Sequence, residues 1–131
     1  MSDACLMDTH ALLFWVTREN VSEAFIDFLD ARNDSGNLMV SSISFWEIAL
    51  LEKKGCIELD DVAAWRTRLL DHTNVTEATP SATEMIESVN LPEYHRDPFD
   101  RLLIVQALRN NAFLITKDKH IARYKVKTFW M

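Results

Sequence analysis

Cys5-Leu6-Met7-Asp8-Thr9-His10-Ala11-Leu12-Leu13 is the stretch whose pattern sets the fold. Three apolar residues run without alternation into an aspartate, and helical spacing follows at once. A continuous apolar run of this kind fits a short strand buried on both faces. Thr9 can cap the helix, which the spacing carries to about Val16. The same order, a short apolar run and then a helical pattern, recurs along the chain. Strands are predicted at 5–7, 38–40, near Val75, at 113–116 and at 126–130. Helices are predicted over 9–16, 22–32, 42–54, 61–71, 80–89 and 98–109, with a short one at 120–124. Strands that alternate with helices imply an α/β domain of three layers (α/β/α), with a central parallel sheet of four to five strands.

The 131 residues suit a single domain over 1–131, and 48% hydrophobic with 26% charged residues is the composition of a folded chain. No apolar run approaches the ~20 residues that cross a bilayer. Met1-Ser2-Asp3-Ala4 has neither the basic start nor the apolar core of a signal peptide, so a cytoplasmic protein without a membrane partner is expected. Cys5 and Cys56 are too few for a disulfide framework, and His10, His72, His95 and His120 show no zinc-type spacing. Gly36 and Gly55 are the only glycines, which excludes a glycine-rich phosphate loop. Gly-x-Ser-x-Gly and Cys-x-x-Cys are absent, so serine and thiol nucleophiles have no support.

Acidic residues remain. In a parallel sheet the functional crevice lies beyond the carboxyl ends of the strands. Asp8 closes the first strand, Glu47 comes after the second, and Asp118 stands two residues past Thr116. Asp100 lies in the first turn of a helix that Asp97-Pro98 begins. Each has a structural alternative: Ser44 and Glu47 fit a capping box, Asp100 suits a helix dipole, and Asp118 can cap the short helix after it. Asp8 resists this, because an unpaired carboxylate at the end of an apolar strand is unfavourable. Two carboxylates ~5 Å apart repel by roughly 3 kcal/mol at an effective dielectric of about 20. Four together would rival the whole stability of a domain, about 5–15 kcal/mol, unless protons or cations intervene. An oxygen-only donor set suits Mg²⁺ or Mn²⁺, ions that support phosphoryl chemistry.

The net charge of −6 argues against a nucleic-acid partner, but its distribution is uneven. Residues 1–100 hold 19 acids against 7 Lys/Arg, and residues 101–131 hold 1 acid against 7 Lys/Arg. Arg101, Lys117, Lys119 and Arg123 are therefore candidate phosphate contacts beside an acidic pocket, or otherwise a solvated basic face.

Four blocks together resemble PIN-domain ribonucleases, in particular VapC-type toxins of type II toxin–antitoxin pairs. They are Met7-Asp8-Thr9-His10-Ala11-Leu12-Leu13, Ser41-Ser42-Ile43-Ser44-Phe45-Trp46-Glu47-Ile48-Ala49, His95-Arg96-Asp97-Pro98-Phe99-Asp100-Arg101-Leu102-Leu103-Ile104 and Leu114-Ile115-Thr116-Lys117-Asp118. Tyr124-Lys125-Val126 and Phe129-Trp130 fit as well. The resemblance implies a PIN-like domain that hydrolyses RNA with Mg²⁺ or Mn²⁺. It places metal-binding and catalytic roles on Asp8, Glu47, Asp100 and Asp118, with Thr116 and Thr9 as supporting hydroxyls. It also implies a homodimer and a VapB-like antitoxin whose C-terminal segment covers the groove and inserts a basic side chain. Cys56 departs from a position that is often basic, and residues 72–92 match only loosely.

The competing reading is a non-catalytic binding module whose acidic groove receives a basic peptide, with Phe45 or Trp46 as an apolar anchor. Metal dependence separates the two, since EDTA-sensitive cleavage belongs to the enzyme alone.

Overall fold

The computed structural model describes residues 4–131, and the domain expected over 1–131 therefore begins outside the described residues. The described residues form five strands: β1 Cys5–Met7, β2 Leu38–Ser41, β3 Thr76–Ala78, β4 Phe113–Ile115 and β5 Thr128–Phe129. Between them lie α1 Thr9–Thr17, α2 Glu23–Asp34, α3 Ser42–Lys53, α4 Val62–His72, α5 Ala82–Val89 and α6 Pro98–Arg109. One 3-10 turn, Ile121–Arg123, precedes β5. The sheet order is β3-β2-β1-β4-β5 and every pairing is parallel.

Strand alternation builds the layers. Cys5 and Met7 point into a core with Leu12, Trp15, Phe25 and Leu29, whereas Leu6 points into another with Leu103, Ile104 and Ile121. Leu114 and Ile115 divide the same way, so both faces of the sheet are covered. Helix α6 is the most enclosed helix, with Arg101 through Ala107 all buried. Burying a Leu or Ile side chain contributes about 1.5–3 kcal/mol, so this interior supplies most of the force holding β1 and β4 in register.

Local chemistry sets the ends. Asp97 caps α6 by accepting from Phe99 N at 2.9 Å, with Pro98 at the first helical position, as the sequence predicts. Two expected caps move. The cap of α1 is Asp8, whose Oδ1 accepts from Ala11 N at 2.7 Å, and not Thr9. Asp8 has the extended backbone of a strand end (φ −74°, ψ 174°), which suits a cap, and Thr9 becomes the first helical residue. The cap of α3 is Ser41, whose Oγ accepts from Ile43 N at 3.3 Å, so Ser44 and Glu47 form no capping box. Strand β2 runs on into Ser41, and the helix starts at Ser42 as its spacing predicts, which is three residues before a Ser44 cap would start it. The capping box of this chain is Ser81 with Glu84 on α5.

Candidate active site, a carboxylate cleft

Chain direction across the sheet reverses at β1: the chain steps outward through β2 and β3, then resumes on the other side with β4 and β5. Met7 is in register with Ile115, so the carboxyl ends of β1 and β4 release Asp8 and Thr116 side by side. This is the switch point at which open α/β sheets form a crevice. A cleft of about 530 Å³ opens there, lined by Asp8, Thr9, Glu47, Asp100, Thr116 and Asp118. His10, Asp97, Lys117, Lys119 and His120 complete its wall. All four acids singled out from the sequence thus reach one cleft from four separate stretches of chain.

Threonines tie the acids to the scaffold. Thr9 Oγ1 donates to Glu47 Oε1 at 2.5 Å and lies 3.1 Å from Ser44 Oγ, linking α1 to α3. The Thr116 hydroxyl bonds Asp8, and Thr116 Oγ1 accepts from Asp118 N at 3.2 Å. One buried hydroxyl therefore spans two of the acids.

The acids differ in electrostatic state. Burial pushes the Asp8 carboxyl above its ordinary range, and the Glu47 charge adds to this. The Ala11 N–H, the Thr116 hydroxyl and His10 oppose the shift without cancelling it. Asp100 is pushed up to about 7, by burial first and then by the charge of Asp97, with Asp8 and Glu47 contributing. For Asp118 burial also raises the value, but the hydrogen bonds from His95 and from His120 N outweigh it and leave the group below its ordinary range.

His95 is the residue that sequence reasoning missed. Its Nε2 lies 2.8 Å from Asp118 Oδ2 and 3.1 Å from Asp100 Oδ2. Its Nδ1 accepts from Asp97 N at 3.0 Å, which leaves the hydrogen of the neutral ring on Nε2, aimed at the two carboxylates. The ligand atoms of His95, Asp100 and Asp118 all lie within 4.8 Å of one another, the tightest candidate cation group among the described residues. Asp8 and Glu47 line the cleft outside this group. The carboxylate oxygens suit a hard divalent cation, whereas an Nε2 that carries its hydrogen serves them as a donor; burial first, and then neighbouring charge, make the ionised forms of Asp8 and Asp100 unfavourable without a cation.

The four candidate phosphate contacts stand in different surroundings. Arg101 is buried (9% exposed), and all five of its N–H groups point at carbonyl oxygens, those of Ser88, Val89, Leu91, Pro92 and His95. It fastens the 88–95 segment to α6 from the start of the buried run Arg101 to Ala107. Arg123 lies over the Tyr94 ring at 4.4 Å, away from the cleft wall. Lys117 and Lys119 do line the cleft. Phe45 is core, whereas Trp46 is 62% exposed on a 240 Å³ apolar groove with Met85, Phe99 and Leu102.

A family profile described as the PIN domain matches residues 5–127. No curated relative matches the sequence. Among solved structures, the fold is similar to a toxin–antitoxin complex from Klebsiella pneumoniae at 21% identity, TM-score 0.66 and 97% coverage of each chain. It is similar to VapBC2 from Rickettsia felis bound to a promoter DNA fragment, at 14% identity, TM-score 0.71 and coverage of 96% and 97%. It is also similar to FitAcB from Neisseria gonorrhoeae, at 16% identity, TM-score 0.61 and coverage of 95% and 96%.

Proposed function

We propose, from the premise that this chain belongs to the PIN-domain family, that it is a metal-dependent endoribonuclease acting as the toxin of a toxin–antitoxin pair. PIN domains are generally nucleases and typically use a divalent metal. The observation that carries the reading is the convergence of Asp8, Glu47, Asp100 and Asp118 on one cleft, with Lys117 and Lys119 on the same wall. Asp8, Glu47, Asp100 and Asp118 would hold a divalent ion such as Mg²⁺ or Mn²⁺, which would supply Lewis-acid polarisation of a phosphodiester and offset the charge of the acids. Asp8 and Asp100, whose ionised forms are unfavourable without a cation, are the principal ligands in this reading, with Glu47 and Asp118 completing the set.

The remaining residues position and attract. Thr9 fixes the Glu47 carboxylate, and Thr116 holds Asp8 and Asp118 in mutual register. His95 bridges Asp100 and Asp118 and keeps their oxygens together while no cation is bound. Lys117 and Lys119 offset the repulsion that an acidic cleft exerts on a polyanionic strand.

A protein partner belongs to the same reading. Trp46, Met85, Ile86 and Val89 are all exposed apolar residues, and the groove beside Trp46 offers a seat for a partner's apolar side chains. Several solved relatives by fold are toxin–antitoxin complexes, which supports a VapB-like antitoxin or a second copy as the occupant. No helix among the described residues is long and apolar enough to cross a membrane.

Cleavage of total RNA in Mg²⁺ or Mn²⁺, abolished by EDTA and by Asp8→Asn, is the expected result. Cleavage by Asp8→Asn at the wild-type rate would overturn the assignment. Absence of cleavage under every metal condition, with a folded protein, would favour the binding module.

A further inference from the structure

One side of the cleft mouth carries a strip of rings that the acids do not require. His10 and Phe14 lie one turn apart on α1, with centroids 6.1 Å apart and planes tilted by 51°. Phe14 meets Trp130 nearly edge-on at 6.3 Å. Trp130 is seated in turn on Phe25 of the core, 4.7 Å away. The Lys117 ammonium lies 5.4 Å from the centre of the Phe14 ring and 5.8 Å from that of Trp130. His10 and Lys117 also line the cleft, so the strip starts at the carboxylates and runs outward along α1.

Two features separate this strip from ordinary core packing. Its rings are graded: His10 is exposed, Phe14 and Trp130 are half-buried, and Phe25 is fully enclosed. The accessible part of Phe14 is therefore held rigid from behind. Lys117, although flanked by Thr116 and Asp118, forms no ion pair among the described residues. Resting against ring faces, the ammonium keeps its donors for an incoming anion. A cation beside fixed aromatic surfaces is the arrangement that takes single-stranded nucleic acid, with a base stacked on the ring and a phosphate on the cation. A duplex cannot use it, because its base faces are already stacked inside.

We propose that His10, Phe14, Lys117 and Trp130 form a subsite for one unpaired nucleotide flanking the scissile phosphate. The base lies against Phe14 and a phosphate meets Lys117. The inference rests on the RNA-cleaving reading of the cleft and sharpens it: the substrate is single-stranded beside the cut, and base identity there is read weakly, since every base offers a π-face.

The test uses the full chain carrying Asp8→Asn, so that bound RNA stays intact. Affinity is measured for a labelled RNA of about 12 nucleotides, single-stranded or annealed to its complement. Adding Phe14→Leu, which keeps apolar bulk and removes the ring, is expected to weaken single-strand binding roughly tenfold and leave duplex binding unchanged. Adding Lys117→Gln is expected to weaken both and to flatten the salt dependence. A Phe14→Leu protein with unaltered circular dichroism and undiminished single-strand affinity would overturn the subsite alone. Failure of the parent protein to bind either RNA would overturn the ribonuclease reading and the subsite with it.

Discussion

His95 Nε2 donates towards Asp118 Oδ2 at 2.8 Å while the same nitrogen lies 3.1 Å from Asp100 Oδ2. One N–H thus stands where two carboxylates would otherwise confront each other. His95→Ala is expected to lower the melting temperature in EDTA by a few degrees, for a loss of about 1–2 kcal/mol. Saturating Mn²⁺ should then raise the melting temperature of the variant more than that of the wild type. An equal rise in both would show that the imidazole does not relieve this repulsion.

Asp8 combines a capping role with an unfavourable charge, and two substitutions separate them. Asn caps a helix about as well as Asp, so Asp8→Asn keeps the bond to Ala11 N and removes a desolvated charge. Its metal-free stability at neutral pH is expected to rise by about 1 kcal/mol while RNA cleavage is lost. Asp8→Ala loses the cap as well and should fall by about 1 kcal/mol relative to Asp8→Asn. Denaturant melts in EDTA read both.

The Asp100 carboxyl, raised to about 7, gives the metal-free protein a pH dependence of definite sign. The folded state holds this proton more tightly than the unfolded chain, whose value is near 3.8. The stability it contributes is complete below about pH 4 and is lost as pH rises through 7. Asp8 acts in the same direction. Asp118 is lowered instead, so its contribution fades only under more acidic conditions. Wild type in EDTA should therefore be less stable at pH 8 than at pH 5, by on the order of 2 kcal/mol from this group. Asp100→Asn should flatten the profile, and an unchanged slope would contradict the assignment.

Arg101 is a structural cation with five carbonyl partners and no carboxylate. Arg101→Ala leaves those carbonyls unsatisfied and is expected to cost about 3 kcal/mol or more. Arg101→Lys recovers little of this, because three donors on a flexible stem cannot replace a planar fork. Limited proteolysis should open the variant between residues 88 and 97 before the rest of the chain.

The sequence exposed the parts of the site that local chemistry decides. Asp8 stands out because an apolar strand ends on a charge, and Asp97-Pro98 announces a helix start that puts Asp100 in its first turn. The five-stranded parallel sheet follows from the same alternation of apolar runs and helical spacing. Residues whose partners are distant stayed hidden. His95 pairs with Asp118 across 23 positions, and no spacing rule reaches that far. The one local signal was its place two residues before the Asp97 cap, whose N–H fixes the ring. Arg101 read as a candidate phosphate contact because it belongs to the basic stretch 101–131, yet the apolar run Leu102-Leu103-Ile104-Val105 after it already marked a buried helix. Glu47 was reached by a different route from the one its flanking serine suggested: Thr9 of α1, and no cap of its own helix, holds it.

The parallel order β2-β1-β4 has a temporal consequence. The first wall of the cleft, Asp8, is made well before Asp118, which follows the strand that pairs with β1 as β4. A growing chain on the ribosome cannot assemble the cleft until residue 118 and the strand before it have emerged. Any chain that stops before residue 118 therefore holds only part of the cleft, and whatever chemistry the four acids perform together belongs to chains that have passed that point.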